Sequence, residues 1–268
     1  MNQTDPKTNR GSVHDSSHPR EFNLSETPPE GIGLFDMDGT LLAWDCQLLF
    51  RHHVVRAEPW RLFSIPLFLV FLPFAKLLGT EKMKRIFHCF LWRMKPERLQ
   101  QLSAEFAKKL LPSIYSELIN SLENHKHSGH LTILSSASPE CYAAEVGKLL
   151  GFDLSLGTVL ENTKLFPQLS NHKGFNKVIR LREVLPESYY VDGQLHNSRG
   201  YTDSTADLPM LELCHQATIV NPKPKLHSLA EENRWTILHP ARPWKSQLEK
   251  YSCVLQLLLA LGKNPAKL

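Results

Sequence analysis

The chain has 268 residues, 42% of them hydrophobic, and a formal net charge of +4 at pH 7. This size and apolar fraction indicate a globular protein with one good core and a smaller module. The five cysteines lack the paired spacing of zinc or redox sites, so we expect reduced thiols in the cytoplasm. Residues 1–30 are polar and lack the apolar stretch of a secretory signal, so we expect a disordered tail there.

The first predicted element is a strand at residues 31–36, and a long helical stretch follows it. Through residues 43–115, apolar residues recur at spacings of three and four, which is typical of helices. Beyond residue 130, short apolar runs alternate with helical patterns. We predict strands at 131–135, 157–161 (a strand or hairpin arm), 199–203, 217–220 and 235–238. The helices are expected at 138–150, 172–185, 208–213, 223–234 and 247–262.

This alternation predicts the α/β class, with a doubly wound parallel sheet and a helical cap inserted after the first strand. The division that follows is a core of residues 31–42 and 116–240, a cap of residues 43–115 and a C-terminal helix within 241–268. Ser138 and Pro139 have the pattern of a helix start, with the serine as N-cap. Three histidines in a polar stretch before the second strand are expected to be solvated: His125, His127 and His130.

Polar residues follow three of the predicted strands, and one lysine lies on a helix between them. In parallel sheets ligands bind beyond the carboxyl ends of the strands, so we expect these groups to converge. Acids, a hydroxyl beside helix-start amides and a lysine together suit an anion bound with a divalent metal ion. The groups are Asp36 and Asp38, the serines of residues 135–138, Lys177, and the pair Asp203 and Asp207.

The two acids after the first strand suit phosphoryl transfer, in which catalysis is mostly charge neutralisation and positioning. Mg²⁺ prefers oxygen ligands, and Asp36, the backbone carbonyl of Asp38, and Asp203 would supply them. Asp36 could attack phosphorus to form an aspartyl phosphate. Asp38 would then protonate the leaving oxygen and later activate water.

The remaining groups would bind the phosphoryl oxygens or support those that do. The Ser136 hydroxyl and the helix-start amides, including that of Ala137, are the predicted phosphate ligands. Lys177 would balance the phosphoryl charge, with Lys173 as the competing lysine. Two further residues have supporting roles: Asp207, which would orient Lys177 or a metal-bound water, and Thr40.

Four segments, DMDGT, LTILSS, KGFNKVIRL and TDSTAD, resemble in order the four motifs of the haloacid dehalogenase superfamily of phosphatases. The resemblance covers residues 31–240, and its phosphoserine phosphatase-like branch implies Ser136 rather than Ser135 as the phosphate ligand. Within this superfamily an acid at Asp38 favours phosphate ester hydrolysis, because relatives that cleave carbon–halogen bonds or phosphonates lack one there. A mutase, which uses the same two acids, is the alternative. The stretch before the fourth motif is longer and more polar than usual, which leaves strand placement in residues 187–201 open.

The cap contains an apolar run at residues 62–75. As a helix, 14 residues rise only about 21 Å, less than the roughly 30 Å of a bilayer core. Between Leu42 and Tyr115, twelve Lys or Arg stand against five Asp or Glu. We therefore expect the run to insert into an anionic membrane surface, with burial inside the cap as the alternative. The basic flanks are Arg51, Arg56 and Arg61 on one side and Lys76, Lys82, Lys84 and Arg85 on the other.

The cap, from WDCQLLFRHHVV (44–55) to FHCFLWRMKPERLQQLSAEF (87–106), and the segment SRGYTDSTADLPML (198–211) resemble the bacterial phosphatidylglycerophosphatase C type of phosphatase. This resemblance implies a lipid-linked phosphate substrate at the inner face of the cytoplasmic membrane. The alternative is a soluble phosphatase for small metabolites, and a third possibility is a phosphoprotein-binding module without activity. Nucleic acid is not an expected partner, because the basic residues lie among aliphatic stretches without the stacking aromatics of single-strand binders.

Overall fold

A computed structural model describes residues 24–262. Its strands are β1 (Ile32–Phe35), β2 (Leu131–Pro139), β3 (Leu154–Glu161), β4 (Gln168–Ser170), β5 (Tyr190–Val191), β6 (Gln194–Leu195), β7 (Ser198–Thr202), β8 (Gln216–Val220) and β9 (Thr236–Leu238). Its helices are α1 (Cys46–Ala57), α2 (Ser64–Phe71), α3 (Ala75–Phe87), α4 (Pro96–Leu110), α5 (Ser116–His127), α6 (Glu140–Leu150), α7 (Phe175–Val184), α8 (Leu208–Glu212), α9 (Pro224–Glu232) and α10 (Gln247–Leu258).

A seven-stranded sheet forms the centre of the fold, in the order β4-β3-β2-β1-β7-β8-β9. Only β4, at one edge, is antiparallel to its neighbour. Phe35 at the end of β1 pairs with Leu134 of β2 and Tyr201 of β7, so the carboxyl ends of these three strands lie side by side. The predicted parallel α/β fold is confirmed. The stretch 187–201, left open by the sequence, forms the small β5–β6 hairpin and then β7.

Two apolar clusters cover the two faces of the sheet. Phe35 belongs to the cluster beneath α1, α4, α5, α6 and α10. Ile32 and Leu34 belong to the other, beneath α7, α8 and α9. Neighbouring residues of a strand point to opposite faces, so β1 has to be apolar on both sides, and the sequence accordingly shows an unbroken apolar run there.

The helical insertion after β1 packs on the core through aromatic side chains. Phe50 of α1 and Phe106 of α4 both contact the ring of Tyr142 on α6, at centroid distances of 4.7 and 5.2 Å. The C-terminal helix α10 packs on α1, where Arg51 Nη1 donates to the Leu258 carbonyl at 2.7 Å. The C-terminal segment therefore contacts the insertion as well as the core.

The apolar run is not buried inside the cap, because among residues 62–75 only Ser64 is buried. Two of its expected basic flanks are in turn wrong as lipid contacts. Arg51 is fully buried, and Arg61 is 2% exposed, with Nη1 donating to the carbonyls of Phe90 and Trp92. Arg61 thus bonds within the insertion, whereas Arg51 is buried beneath the C-terminal helix and bonds to the Leu258 carbonyl.

Three local predictions differ from the structure. Ser138 is not a helix N-cap, because β2 continues to Pro139 and α6 begins at Glu140. His125 is not solvated: it is buried on α5, and its Nε2 lies 3.0 Å from the hydroxyl of Tyr201. Residues 24–30 of the expected tail contact the core, as in the bond from the Tyr189 hydroxyl to the Ser25 carbonyl at 2.8 Å. Residues 1–23 of that tail and residues 263–268 lie outside the described range.

Candidate active site

The first acid lies where β1 ends and the chain turns. Asp36 is 5% exposed, and its backbone N–H still donates to the Tyr201 carbonyl at 3.0 Å. One carboxylate oxygen, Oδ1, accepts a bond from Lys177 Nζ at 2.7 Å, and the other, Oδ2, accepts one from Thr40 Oγ1 at 3.0 Å. The predicted nucleophile is therefore held between a cation and a hydroxyl at the edge of the sheet.

Gly39 allows the turn that follows. Its φ is +83°, in the region that favours glycine, and a Cβ at this position would overlap the carboxylate of Asp203. Asp203 follows β7, the neighbour of β1, and so lies directly over the turn that carries both acids. The structure thus brings Asp203 to the first motif, as the sequence predicts.

Asp38 has a different environment from Asp36. Its Oδ1 accepts a hydrogen bond at 2.7 Å from the backbone N–H of Cys46, the first residue of α1. Its Oδ2 accepts the hydroxyl of Ser138 at 2.5 Å, and Ser138 in turn accepts the hydroxyl of Tyr142 at 2.7 Å. The carboxylate is thus oriented by the start of the insertion on one side and by β2 and α6 on the other.

Lys177, rather than the competing Lys173, reaches the acids. It is 1% exposed, with Nζ 2.7 Å from Asp36 Oδ1 and 3.0 Å from Asp207 Oδ1. Burial alone would lower the pKa of Lys177, but the two carboxylates outweigh burial and raise it. Asp207 is itself fixed by Thr202 Oγ1, which donates to its Oδ2 at 2.8 Å. The two acids therefore favour the charged form of Lys177.

The carboxylates in this site outnumber the buried cation. Burial raises the pKa of Asp36 to about 8, and the neighbouring Asp207 and Asp203 add to the rise while Lys177 opposes it. Burial, followed by the charges of Asp207 and Asp38, raises the pKa of Asp203 to about 6. Such a cluster is costly without a further positive charge, and that charge is what a divalent cation supplies.

Oxygen donors at this edge of the sheet fit Mg²⁺. The side chains of Asp36 and Asp203 would hold it, together with the backbone carbonyl of Asp38, while the Asp38 carboxylate is held by the Cys46 N–H and the Ser138 hydroxyl. In the described part of the chain, no group of three or more His, Cys, Asp or Glu side chains is placed to hold a metal ion.

The predicted phosphate loop lies beside these acids. Ser136 is buried, its hydroxyl accepts the backbone N–H of Ser138 at 3.1 Å, and it lies 3.5 Å from Asp38 Oδ2. The pairing of β2 with β3 is irregular between Ser135 and Pro139, so the loop departs from a regular strand here. The role of Ser136 and Ala137 as phosphate ligands stays a prediction.

Lys84, on α3 of the insertion, is expected from the sequence only as a basic flank of the apolar run, and that expectation is wrong, because its ammonium group lies beside the phosphate loop. Its Nζ donates to the Ala137 carbonyl at 2.6 Å, to Thr158 Oγ1 at 2.9 Å and to Asn171 Oδ1 at 2.8 Å. Burial lowers its pKa to about 8, against the opposing charge of Asp38. In the sequence it is one basic residue among several, and no local signal distinguishes it.

The hydrogen bonds that link Ser138 and Tyr142 to Asp38 are not predicted from the sequence, although the sequence contains a signal for them. Both residues lie in the segment that begins with the predicted phosphate serine, and a serine two positions after Ser136 points to the same side of a strand. The local resemblance to a helix start was stronger, so Ser138 was interpreted as a cap. Its bond to Asp38 joins residues 100 positions apart.

Comparisons with known proteins agree with this geometry. The family described as haloacid dehalogenase-like hydrolase matches residues 34–212. A histidinol-phosphatase from Neisseria meningitidis is 30% identical over 159 residues, covering 56% of this chain and 70% of that protein. A phosphoserine phosphatase from Mycobacterium tuberculosis is 32% identical over 122 residues, covering 42% of this chain and 37% of that protein. The chain spans 46% of the length of a protein from that organism named as a probable phosphatase, at 29% identity and with 49% of this chain covered.

Solved structures show the same fold. A protein of unknown function from Bordetella pertussis superposes with a TM-score of 0.66 at 21% identity, covering 79% of this chain and 98% of that one. A phosphoserine phosphatase, solved as an analogue of its phospho-aspartyl intermediate, has a TM-score of 0.52 at 15% identity, covering 84% and 99%. The predicted superfamily, its phosphoserine phosphatase-like branch and the helical insertion after the first strand are confirmed.

Proposed function

Because this chain belongs to the haloacid dehalogenase-like hydrolases, we propose that it hydrolyses phosphate monoesters through a phosphorylated Asp36. The observation that carries the proposal is the convergence of four groups on the edge of the sheet. Asp36 contacts Lys177 directly, Asp203 lies over the turn that follows, and Asp38 is oriented separately by Ser138. One carboxylate is thereby placed for attack and a second for proton transfer.

In the first half of the reaction, an oxygen of Asp36 forms a bond to phosphorus, and the bond from phosphorus to the ester oxygen breaks. Asp38 gives its proton to that oxygen, so the alcohol leaves neutral. In the second half, water attacks phosphorus, Asp38 takes a proton from the water, and inorganic phosphate leaves Asp36. Lys177 balances the phosphoryl charge throughout. Mg²⁺, when bound, supplies further charge neutralisation at the phosphoryl oxygens.

The names of the relatives support a small phosphorylated metabolite as substrate. One is a histidinol-phosphatase and another a phosphoserine phosphatase, and both act on phosphate esters of small polar alcohols by name. A cytoplasmic location agrees with this class. The proposal does not choose among metabolites, since the alignments cover only part of this chain or of its relatives.

A lipid-linked phosphate is the second candidate. The observation that favours it is the exposed apolar run of the insertion, which a phosphatase for polar metabolites does not need. This candidate places the protein as a peripheral enzyme at the inner face of the cytoplasmic membrane.

The test is a substrate screen on the purified protein with Mg²⁺. We expect turnover of para-nitrophenyl phosphate by the parent and none by Asp36→Asn, while Asp192→Asn, an exposed position with φ +52° that asparagine tolerates, stays active. Phosphoserine and histidinol phosphate are then compared with phosphatidylglycerophosphate in mixed micelles. Equal activity of Asp36→Asn and the parent would refute the mechanism, and the preferred substrate decides between the two classes.

A further inference from the structure

The insertion exposes a cluster of large apolar side chains at one end. Val70 is 63% exposed, Phe74 55% and Leu77 86%, and Leu69 and Leu72 are also exposed. We call residues 69–77 the apolar tip. Soluble monomers rarely expose so many neighbouring large apolar residues, and such patches mark interaction sites.

The tip belongs to a bent helical segment and not to a straight membrane-spanning helix. Residues Pro59–Leu91 form a run of 33 residues that could cross a membrane by length and composition alone. Phe68 of α2, however, contacts Phe87 of α3 at a centroid distance of 5.5 Å. On one straight helix these residues would be about 28 Å apart. Phe90 is fully buried as well, so the end of the run is fixed to the core. Within the tip, Phe71 contacts Phe166 at a centroid distance of 5.8 Å, while Val70, Phe74 and Leu77 face outward.

The positive charge around the tip favours a negatively charged partner. Residues 59–80 contain no Asp or Glu. Among the exposed cations, Lys76 lies within the tip, and Arg56 and Lys82 lie before and after it along the chain. A second copy would bring the same cations together, whereas anionic lipid head groups would neutralise them. We propose that the apolar tip inserts into the interfacial region of a bilayer that contains anionic lipids, with these cations at the head groups.

The tip is linked to the phosphate loop by short contacts. Lys84 Nζ donates to the Ala137 carbonyl at 2.6 Å, and Arg85 Nε donates to the Pro167 carbonyl at 2.9 Å. Both residues follow the tip in α3, beyond a break in the helix at Gly79, where φ is +76°. Docking of the tip would therefore bring the phosphate loop near the lipid surface. This consequence rests on the proposed function, and it favours the lipid-linked substrate class.

Vesicle co-sedimentation tests the docking. The full chain is mixed with vesicles of phosphatidylcholine, with or without phosphatidylglycerol. We expect binding only when phosphatidylglycerol is present, and a loss of about tenfold or more in partitioning for Val70→Glu and Phe74→Glu. Leu248→Glu is the matched control, because Leu248 is 80% exposed on α10 and far from the tip in sequence. It should partition as the parent does.

Turnover of para-nitrophenyl phosphate is measured for each variant in the same experiment. Unchanged turnover of the tip variants shows that they are folded, and it separates failure of docking from failure of the proposed chemistry. The proposal is overturned if the parent does not bind anionic vesicles, or if the Leu248→Glu control loses as much binding as the tip variants. It is equally overturned if sedimentation equilibrium shows a dimer that only the tip variants dissociate, since a second copy would then cover the tip.

Discussion

Replacing Ser138 with alanine should lower kcat by about tenfold to a hundredfold. The fully buried Ser138 hydroxyl donates to Asp38 Oδ2 at 2.5 Å. A hydrogen bond to a charged group contributes about 1.5–3 kcal/mol, and about 1.4 kcal/mol corresponds to tenfold in rate. The bond orients the carboxylate that exchanges protons with the leaving group and with water, so we expect its loss to affect kcat and leave KM within about twofold.

Tyr142→Phe is the matched control for this prediction. It removes the donor that bonds Ser138 Oγ at 2.7 Å but leaves the bond from Ser138 to Asp38 in place. Each variant loses buried hydrogen bonding, so urea unfolding should show a decrease of about 1–3 kcal/mol in the free energy of unfolding for both. Only Ser138→Ala should also show the large decrease in kcat.

The assay is steady-state hydrolysis of para-nitrophenyl phosphate with Mg²⁺, beside urea unfolding of the same preparations. Equal kcat values for the two variants would refute the reasoning. That result would mean that the Cys46 N–H, at 2.7 Å from Asp38 Oδ1, orients the carboxylate by itself.

Four further outcomes are expected. Gly39→Ala should abolish turnover and destabilise the fold in urea unfolding, because φ is +83° and the new Cβ would overlap Asp203. Lys177→Met should remove activity and lower Tm at pH 7 because Asp36 loses its cation, and an unchanged Tm would contradict this. Mg²⁺ should raise the Tm of the parent in a thermal-shift assay and EDTA should reverse it, whereas Asp203→Asn should respond weakly. Burial lowers the pKa of His125 to about 4, whereas in the unfolded chain it is about 6.5. The free energy of unfolding should therefore fall by about 3 kcal/mol as the pH is lowered from 6.5 to 4. Urea unfolding of His125→Gln across that range should show a smaller loss.

Local patterns were sufficient for the order of elements and for the acids at the strand ends. The apolar run before Asp36 required a buried strand, and Gly151, with φ +73°, ends α6 where the pattern placed the stop. Hydrophobic periodicity and turn chemistry act over a few residues, so they are readable without tertiary structure. The convergence of strand ends follows from parallel topology alone, and it placed Asp203 near Asp36.

Predictions about single side chains were wrong where the deciding partner is distant in sequence. His125 lies in a polar stretch, yet it is buried against Tyr201, which is 76 positions away. Arg51 reads as a basic flank of an apolar run, and the packing of α10 on α1 turns it inward instead. The local pattern of apolar residues does not reveal which distant group will hydrogen-bond to a buried histidine or arginine.

The amino-acid order alone determined the fold class, the four motifs and the presence of an apolar run in the insertion, because periodicity and turn residues encode them locally. Tertiary structure decided that Lys177 and not Lys173 meets Asp36, that Ser138 serves Asp38 and not a helix end, and that the apolar run bends and faces outward. These outcomes depend on sheet register and on the packing of segments far apart in the chain. Hydrogen bonds between such segments are selected by the whole fold, since only the fold brings their donors and acceptors within reach.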